Sequence, residues 1–475
     1  MTVSRSLLTR LCVVGTVVFT IAATTSCGQS APPPVASSPM QTTTAPVPIV
    51  PVPTLAAVVP TGDFTPVSKL VNDSIAARRL PGAVVQVGHG DNVVFRQAYG
   101  SRKLDGEPGL DGVPAPAEPM TEDTIFDLAS LSKSIATTTA FMQLYEQGKV
   151  TFDDPVQTYL PDFNPTDDPR RAQVTVRMLL THTSGIAGDL SLDGPWGLDK
   201  ADKAEGIHRA LGAWVVYGPG ELFHYSDINF ILVGTIIERI TGRPLDQYVR
   251  NNIFAPLGLS ETRYLPAAKA CGPHQIRGTA IAFDPDAPKV NDCPEGTWST
   301  DLLPRIAPTA LDEDTPGLNP DYGRPLRGTV HDPTARRMGG VAGSAGVFAT
   351  VSDVGRFAQA LLDRLAGRPS TFPLKRETVE LMTTPQQPGH TAGGDLRGFG
   401  WDIDTAHSRP RGLIFPVGSF GHTGFTGVTL WMDPGSDTYV AVLANVIHQR
   451  GGPPIAKLSG EIATETARAL HLYGT

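Results

Sequence analysis

The chain has 475 residues, of which 40% are hydrophobic and 18% charged, so it is long enough to bury more than one hydrophobic core. Its net charge is −8 and it carries no basic cluster interleaved with aromatic residues, which argues against a nucleic-acid partner. The cysteines form no Cys-x-x-Cys pair and no His-Glu-x-x-His motif occurs, so the sequence indicates no metal site and no cofactor.

The first 27 residues are typical of an export signal. Arg5 and Arg10 precede an apolar run over residues 11–23, which is too short to cross a bilayer comfortably, and small residues follow it. These small residues and Cys27 resemble a lipobox, although Thr24 stands where leucine is usual. We therefore expect an exported lipoprotein, anchored through Cys27 on the outer face of the cell membrane. The alternative is ordinary signal-peptide cleavage and secretion.

Residues 28–62 are rich in proline, alanine and threonine and carry almost no charge. Such a segment has little to bury and favours extended conformations, reaching about 100 Å at ~3.1 Å per residue. It is predicted to be a tether that holds a folded domain, residues 63–475, away from the membrane.

Periodicity and turn residues predict the elements of this domain in chain order. At its start they predict a helix over 66–79, a hairpin of strands 83–87 and 92–99, and a helix opening at Ser130. The middle is mainly helical, with its clearest segments at 176–180, 207–216 and 230–240. The last part contains a helix over 352–365, a second hairpin (428–432 and 439–444) and a final amphipathic helix.

Strands thus occur at both ends of the domain and helices in between. The expected fold class is α+β, with the terminal strands in one antiparallel sheet flanked by the first and last helices. A mainly helical subdomain, roughly residues 126–335, is inserted and contains a long irregular segment, 266–330. A catalytic cleft is expected between the two parts.

The stretch Ser130-Leu-Ser-Lys133 carries the first chemical signal. Residues three apart on a helix project from one face, so the Ser130 hydroxyl and the Lys133 amine should meet. A serine needs a base or an oriented dipole to become a nucleophile, and the helix N-terminus and Lys133 can supply them. Taken alone, the pair is better explained as a helix cap beside an exposed lysine.

Cys271 and Cys293 lie close together in the irregular segment. In an exported protein they can pair, and we expect a disulfide between them, with two free thiols as the alternative.

Two further motifs follow in order: Tyr225-Ser-Asp227, and Gly421-His-Thr-Gly424 near the C-terminus. Together with Ser-x-x-Lys they resemble the three motifs of the serine β-lactamase and penicillin-binding protein family, in the branch of class C β-lactamases, D,D-carboxypeptidases and β-lactamase-like esterases. The resemblance runs from about residue 64 to the final helix. It implies the β-lactamase/transpeptidase-like fold for the α+β domain.

The resemblance also implies roles for individual residues. Ser130 would form an acyl-enzyme, Lys133 would hold or accept its proton, and Tyr225 would pass a proton to the leaving group if nearby lysine lowers its pKa. Backbone amides of Ser130 and Phe425 would form the oxyanion hole. The residues implied to bind substrate are Asp227, His422, Thr423 and Gly424.

Two positions depart from the family pattern. Asp227 replaces an asparagine, and its carboxylate would favour the ammonium form of Lys133; a helix N-cap is an equally open reading of this residue. His422 replaces a lysine and is expected to be uncharged at neutral pH, which would weaken binding of a substrate carboxylate. Both departures point away from efficient β-lactam hydrolysis.

The resulting expectation is a cell-envelope serine hydrolase that cleaves a small ester or a D-amino-acid amide or peptide, including peptidoglycan-type substrates. One alternative is a penicillin-binding D,D-carboxypeptidase or β-lactamase. A second is a lipoprotein that binds wall fragments without catalysis; the presence of Ser130, Lys133 and Tyr225 together argues against it.

Overall fold

The structure is a computed structural model that describes residues 57–475, except 285, 289, 291 and 450–454. The predicted signal peptide, the lipidation site Cys27 and most of the predicted tether lie outside the described residues. None of the described helices is long and apolar enough to cross a membrane.

The described residues form fifteen strands and ten α-helices. The strands are β1 Gly82–His89, β2 Asn92–Lys103, β3 Glu118–Pro119, β4 Phe126–Asp127, β5 Arg263–Tyr264, β6 Ala270–Cys271, β7 His274–Arg277, β8 Ala280–Phe283, β9 Trp298–Ser299, β10 Val347–Ala349, β11 Leu396–Arg397, β12 Asp402–Asp404, β13 Phe420–Gly424, β14 Val428–Asp433 and β15 Thr438–Ala444. The helices are α1 Thr65–Ala76, α2 Thr139–Glu146, α3 Val176–Leu180, α4 Lys203–Leu211, α5 Asp227–Thr241, α6 Leu245–Val249, α7 Pro333–Arg337, α8 Val351–Ala366, α9 Arg376–Thr383 and α10 Ile455–Ala469.

The main sheet has eight strands in the order β11-β12-β13-β14-β15-β1-β2-β3, and its neighbouring strands pair antiparallel. The first and last long strands meet at its centre, where Ala83 of β1 pairs with Ala444 of β15. The prediction of an α+β fold with the terminal strands in one antiparallel sheet is therefore confirmed.

Each face of this sheet is covered by helices because alternate residues of a strand point to opposite sides. Val440 and Val442 of β15 lie in a core with α1 and α10, whereas Ala441 and Leu443 lie in a second core with α8. The first and last helices cover one face, as predicted, and α8 covers the other. Burying each of these valines and leucines contributes roughly 1.5–3 kcal/mol.

The middle of the chain packs as helices around α5, whose residues Ile228–Ile237 are all buried. The helix predicted over 207–216 is wrong at its end, since α4 stops at Leu211 and Gly212 is its C-cap. Helix α9 was not predicted. The boundary of a helical subdomain at 126–335 stays a prediction.

The segment 266–330 is less irregular than expected, because β6 pairs with β9 and β7 pairs with β8. Cys271 at the end of β6 forms a disulfide with Cys293.

Candidate active site

Ser130 stands at the start of a long helical segment that follows β4. The chain turns sharply at Ala129, whose φ of +44° is unusual for a residue other than glycine. The first helical amides then donate back, Leu131 to Leu128 O at 3.0 Å and Lys133 to Ser130 O at 3.0 Å. A π-helical stretch, Lys133–Thr138, leads into α2, and such widened turns are frequent at functional sites.

The Lys133 amine is fully buried and is surrounded by three oxygen atoms. Its Nζ donates to Ser130 Oγ at 2.9 Å and to the Ser344 carbonyl at 2.9 Å, and it forms an ion pair with Asp227 Oδ1 at 2.5 Å. Burial lowers the pKa of an amine, but the Asp227 carboxylate and Tyr225 more than offset it, so the pKa of Lys133 lies above its ordinary value. Lys133 is therefore an ammonium at rest.

The Ser344 carbonyl reaches Lys133 because the glycine-rich segment 339–346 packs directly on α5. A Cβ on Gly343 would lie 2.0 Å from the Phe230 carbonyl, so only glycine allows this approach. The Thr137 hydroxyl donates to the Gly343 carbonyl at 2.7 Å and fixes the segment against the nucleophile helix. The segment therefore carries a backbone acceptor to the lysine.

Tyr225 lies beside this pair, immediately before α5. Its ring stacks on the buried His182 ring at 4.3 Å, and Lys133 Nζ lies 5.2 Å from its ring centroid. Its hydroxyl is buried and completes no hydrogen bond within the described residues. The condition that the nearby lysine lowers the pKa of Tyr225 is not met, because burial and the Asp227 charge raise it despite Lys133. Tyr225 is thus a neutral phenol that can donate a proton.

Asp227 is the first residue of α5, and the reading of it as a plain N-cap is wrong. Ser226 is the N-cap: its side chain accepts from the Asn229 amide at 3.3 Å. The Asp227 side chain is left to pair with Lys133, on the inner side of the cleft.

Strand β13 forms the opposite wall and carries the third motif. It pairs with β14, with Thr423 opposite Thr429 and Gly424 opposite Val428. A Cβ on Gly424 would lie 2.5 Å from the Leu128 carbonyl, so this glycine lets the end of β13 approach the turn before Ser130. Thr423 is half-buried, and Phe425, just beyond the strand, is 72% exposed.

The two amides expected to form the oxyanion hole flank this contact. Neither the Ser130 N–H nor the Phe425 N–H donates to an acceptor in the part of the chain that the structure describes. Both are thus available for a substrate oxygen, which is the requirement for such a hole.

The contact of the His422 side chain with substrate stays a prediction, and the ring lies next to Tyr225, with 6.2 Å between the two ring centroids. Its ring is 1% exposed, with Nδ1 2.7 Å from the Thr423 carbonyl and Nε2 3.2 Å from Arg397 Nη2. Burial and the positive charges of Arg397 and Lys133 lower the pKa of His422 to about 3. A neutral ring therefore donates from Nδ1 and accepts from Arg397 at Nε2.

Sequence reasoning missed Arg397, which is buried behind His422 and forms an ion pair with the buried Asp402. It also missed two carboxyl groups that interact electrostatically with Lys133 and Asp227. Burial and the Asp227 charge raise the pKa of Asp332 to about 7 and also raise the pKa of Asp189. The run His-Asp-Pro at 331–333 was a signal for Asp332, whereas nothing in the sequence around 397 marks Arg397.

Within residues 57–475, outside the gaps given above, no group of three or more His, Cys, Asp or Glu side chains is arranged to hold a metal ion. The residues that the structure brings together are Ser130, Lys133, Tyr225 and Asp227, with β13 opposite.

The sequence of the chain is similar to a family model and to bacterial proteins. The model of the Beta-lactamase family matches residues 67–458. A relative in Escherichia coli strain K12, named "Putative D-alanyl-D-alanine carboxypeptidase", is 30% identical over 376 residues, which are 77% of this chain and 78% of the relative. N-acetylmuramyl-L-alanine amidase of Bacillus subtilis strain 168 is 29% identical over 395 residues, or 80% of each chain.

Solved structures show the same fold. A penicillin-binding protein homologue from Caulobacter crescentus superimposes with a TM-score of 0.61 at 19% identity, covering 88% of this chain and all of that one. EstCE1, a hydrolase with promiscuous acyltransferase activity, gives a TM-score of 0.56 at 22% identity, covering 84% and 97% of the two chains.

Proposed function

The chain belongs to the Beta-lactamase family and is a hydrolase of that superfamily, and we propose that it is a serine hydrolase in which Ser130 forms an acyl-enzyme. The substrate is a small ester or a D-amino-acid amide. The observation that carries this proposal is the 2.9 Å hydrogen bond from Lys133 Nζ to Ser130 Oγ, at a helix start that faces the Tyr225 hydroxyl and the end of β13.

The resting charges suggest the order of proton movements. Lys133 cannot accept a proton while it is an ammonium, so it first gives one to Asp227, its partner at 2.5 Å. Neutral Lys133 then takes the Ser130 proton as Oγ bonds to the substrate carbonyl carbon. The developing oxyanion is held by the Ser130 and Phe425 amides.

Collapse of the tetrahedral intermediate requires a proton on the leaving group. Tyr225, a neutral phenol whose hydroxyl interacts with Lys133 and Ser130, supplies it and recovers a proton from Lys133. The Asp227 proton then returns to Lys133, and the resting charges are restored. Hydrolysis of the acyl-enzyme repeats these steps with water as the nucleophile.

The identity of the substrate rests on two opposing observations. The name of the Escherichia coli relative describes a carboxypeptidase for D-alanyl-D-alanine, which favours a D-amino-acid peptide, and the name of the Bacillus subtilis relative describes an amidase. The buried, neutral His422 offers no fixed positive charge from β13 to a substrate carboxylate, which favours an uncharged ester. A D,D-carboxypeptidase or β-lactamase is the second candidate.

The test uses the full-length chain with a fluorescent penicillin and, separately, with p-nitrophenyl butyrate. Ser130→Ala is compared with Ser191→Ala, since Ser191 is an exposed loop serine whose hydroxyl bonds to the neighbouring Asp193. Covalent penicillin labelling that Ser130→Ala abolishes supports the peptidase candidate, and Ser130-dependent ester turnover without labelling supports the esterase. Activity that survives Ser130→Ala refutes the proposal, and absence of both signals in the wild type would favour the wall-fragment-binding alternative.

We also propose that the protein is exported and anchored to the outer face of the membrane through a lipid on Cys27. The support is the sequence of the first 27 residues. Cys27→Ser should move the protein from the detergent to the aqueous phase in Triton X-114 partitioning, whereas Cys12→Ser, which changes the other cysteine of the signal segment, should not. Equal partitioning of both variants would favour secretion by ordinary cleavage.

A further inference from the structure

We propose that Asp127 is a positioning residue that fixes both amides of the oxyanion hole relative to each other. The inference rests on the proposed function, because it concerns the hole that would serve an acyl-enzyme at Ser130. Asp127 ends β4, where it pairs with Phe348 of β10, and only 2% of it is exposed.

On one side Asp127 holds the turn that carries the nucleophile. Its Oδ1 accepts a hydrogen bond from the Ala129 amide at 2.9 Å. Ala129 is the residue with a φ of +44°, a conformation that costs an ordinary side chain on the order of 1 kcal/mol. The carboxylate thus stabilises the strained turn that orients the Ser130 amide.

On the other side Asp127 holds the residues that flank Phe425. Its backbone carbonyl accepts from the Thr426 hydroxyl at 2.7 Å, and Thr426 directly follows Phe425. Its Oδ2 accepts from the His331 amide at 2.7 Å, and the His331 ring stacks on the Phe425 ring at 5.9 Å with an interplanar angle of 25°. One residue therefore restrains Phe425 through its backbone neighbour and through its ring.

The chemistry of a carboxylate suits this double role. It offers a separate acceptor oxygen to each of the two amides, whereas asparagine has one acceptor oxygen and would turn its NH₂ group towards the other amide. Within the described residues Asp127 has no ion-pair partner, and burial raises its pKa to about 6 although both amides and the charge of Arg336 lower it. An unpaired buried carboxylate is costly, and the hydrogen bonds from the two amides offset that cost at Asp127.

The test compares three variants of the full-length chain with p-nitrophenyl butyrate. Asp127→Asn is expected to lower kcat about 10- to 100-fold, somewhat less than deletion of an oxyanion-hole donor, with KM changed by less than about threefold. Thr426→Val, which keeps the shape but removes the hydroxyl, is expected to lower kcat about tenfold. Both should weaken inhibition by phenylboronic acid, which forms a tetrahedral adduct on an active-site serine, by about the same factor as kcat.

Asp353→Asn is the matched control. Asp353 is another buried carboxylate that accepts one amide and one hydroxyl, from Glu261 at 2.8 Å and Thr262 at 2.9 Å, but it lies on α8 and, among the described residues, hydrogen-bonds to none of the site residues. It should lower the melting temperature and leave kcat and boronate inhibition unchanged.

The outcomes separate this inference from the proposed function. Unchanged kcat in Asp127→Asn or, if that variant does not fold, in Thr426→Val, together with loss of turnover in Ser130→Ala, overturns the inference alone. An equal loss of kcat in Asp353→Asn also overturns it, because the effect would then be one of general stability. Turnover that survives Ser130→Ala overturns both.

Discussion

Asp227 and Lys133 form a buried ion pair, with 2.5 Å between Oδ1 and Nζ, directly behind the Ser130 hydroxyl. The Lys133 side chain is fully enclosed, and Asp227, Ser130 and Tyr225 are the groups beside it, within the described residues, that can exchange a proton with it. The ionisation of this pair therefore governs when Ser130 can be deprotonated.

Asp227→Asn should shift the acid limb of the pH profile of kcat/KM towards higher pH, because the variant lacks the carboxylate that accepts the Lys133 proton in the proposed mechanism. Lys133 must then lose its proton to solvent before it can act as a base, even though burial, no longer opposed by the carboxylate, lowers its pKa. We expect a shift of at least about one pH unit, measured with p-nitrophenyl butyrate. Asp246→Asn is the matched control, since Asp246 also lies in the first turn of a helix and pairs with a lysine, Lys269. An unchanged limb in Asp227→Asn would contradict the governing role of the pair.

His422→Gln should destabilise the protein at neutral pH and much less in acid. Glutamine can donate to the Thr423 carbonyl and accept from Arg397, but it does not titrate. In the wild type the unfolded chain binds a proton on His422 below its ordinary pKa of 6.5, whereas the folded chain does not until about pH 3. Between pH 6.5 and 5 the wild type thus loses about 2 kcal/mol that the variant keeps.

The measurement is urea denaturation of wild type and His422→Gln at pH 7 and pH 5. His208→Gln, which changes an exposed histidine in the last turn of α4, is the control and should show the same pH dependence as the wild type. A difference between wild type and His422→Gln that does not change with pH would mean that His422 can be protonated in the folded state.

Arg337→Met should cost about 3–5 kcal/mol of unfolding free energy, because it removes the nearer of the two arginines paired with the buried Asp314 and leaves only Arg336 among the described residues, at 3.7 Å. Arg337 is fully buried, with Nε and Nη2 on the two Asp314 oxygens at 2.9 and 2.8 Å and Nη1 on the Leu192 carbonyl at 3.0 Å. Denaturant midpoints measure the loss. Arg239→Met breaks the exposed pair with Asp162 and should cost less than about 1 kcal/mol; similar losses in both variants would contradict the prediction.

Replacing both Cys271 and Cys293 by alanine should lower the unfolding free energy by about 3 kcal/mol. The disulfide closes a loop with a sequence separation of 22, and removing it frees the unfolded chain. Dithiothreitol should lower the melting temperature of the wild type to that of the variant and leave the variant unchanged. A wild-type melting temperature that is insensitive to reductant would show that the bond contributes nothing.

The sequence predicted those parts of the site and fold that depend on local spacing. Ser130 and Lys133 meet because residues three apart share a helix face, and Tyr225 joins them through the start of α5. The sheet was predictable because β1 and β15 are short, mainly apolar runs bounded by turns rich in glycine, aspartate and proline. Such patterns can be recognised in the sequence without knowing which distant residues the strands contact.

The remaining features depend on contacts between distant segments. Whether His422 is charged depends on its burial against Arg397, which lies in a two-residue strand without a distinctive pattern. The raised pKa of Tyr225 follows from complete enclosure, which a motif does not encode. Similarly, the apolar periodicity over 207–216 continues past Leu211, but Gly212 ends the helix and the chain then turns to form a bridge between Val215 and Ile186.

The central pairing of β1 with β15 has a consequence for how the molecule is made. Gln86 on β1 bonds to Tyr439 on β15 across a sequence separation of 353 residues. Contacts at the middle of the sheet therefore join residues that are far apart in the sequence. The entropic cost of closing this long loop precedes the free energy gained when the two strands pair. A nascent chain cannot complete its catalytic wall until β15 is available, and until then one edge of β1 is exposed to aggregation. Formation of the active site thus requires the last 40 or so residues. A chain that lacks them still contains every proposed catalytic side chain, but it cannot assemble the sheet that aligns these side chains.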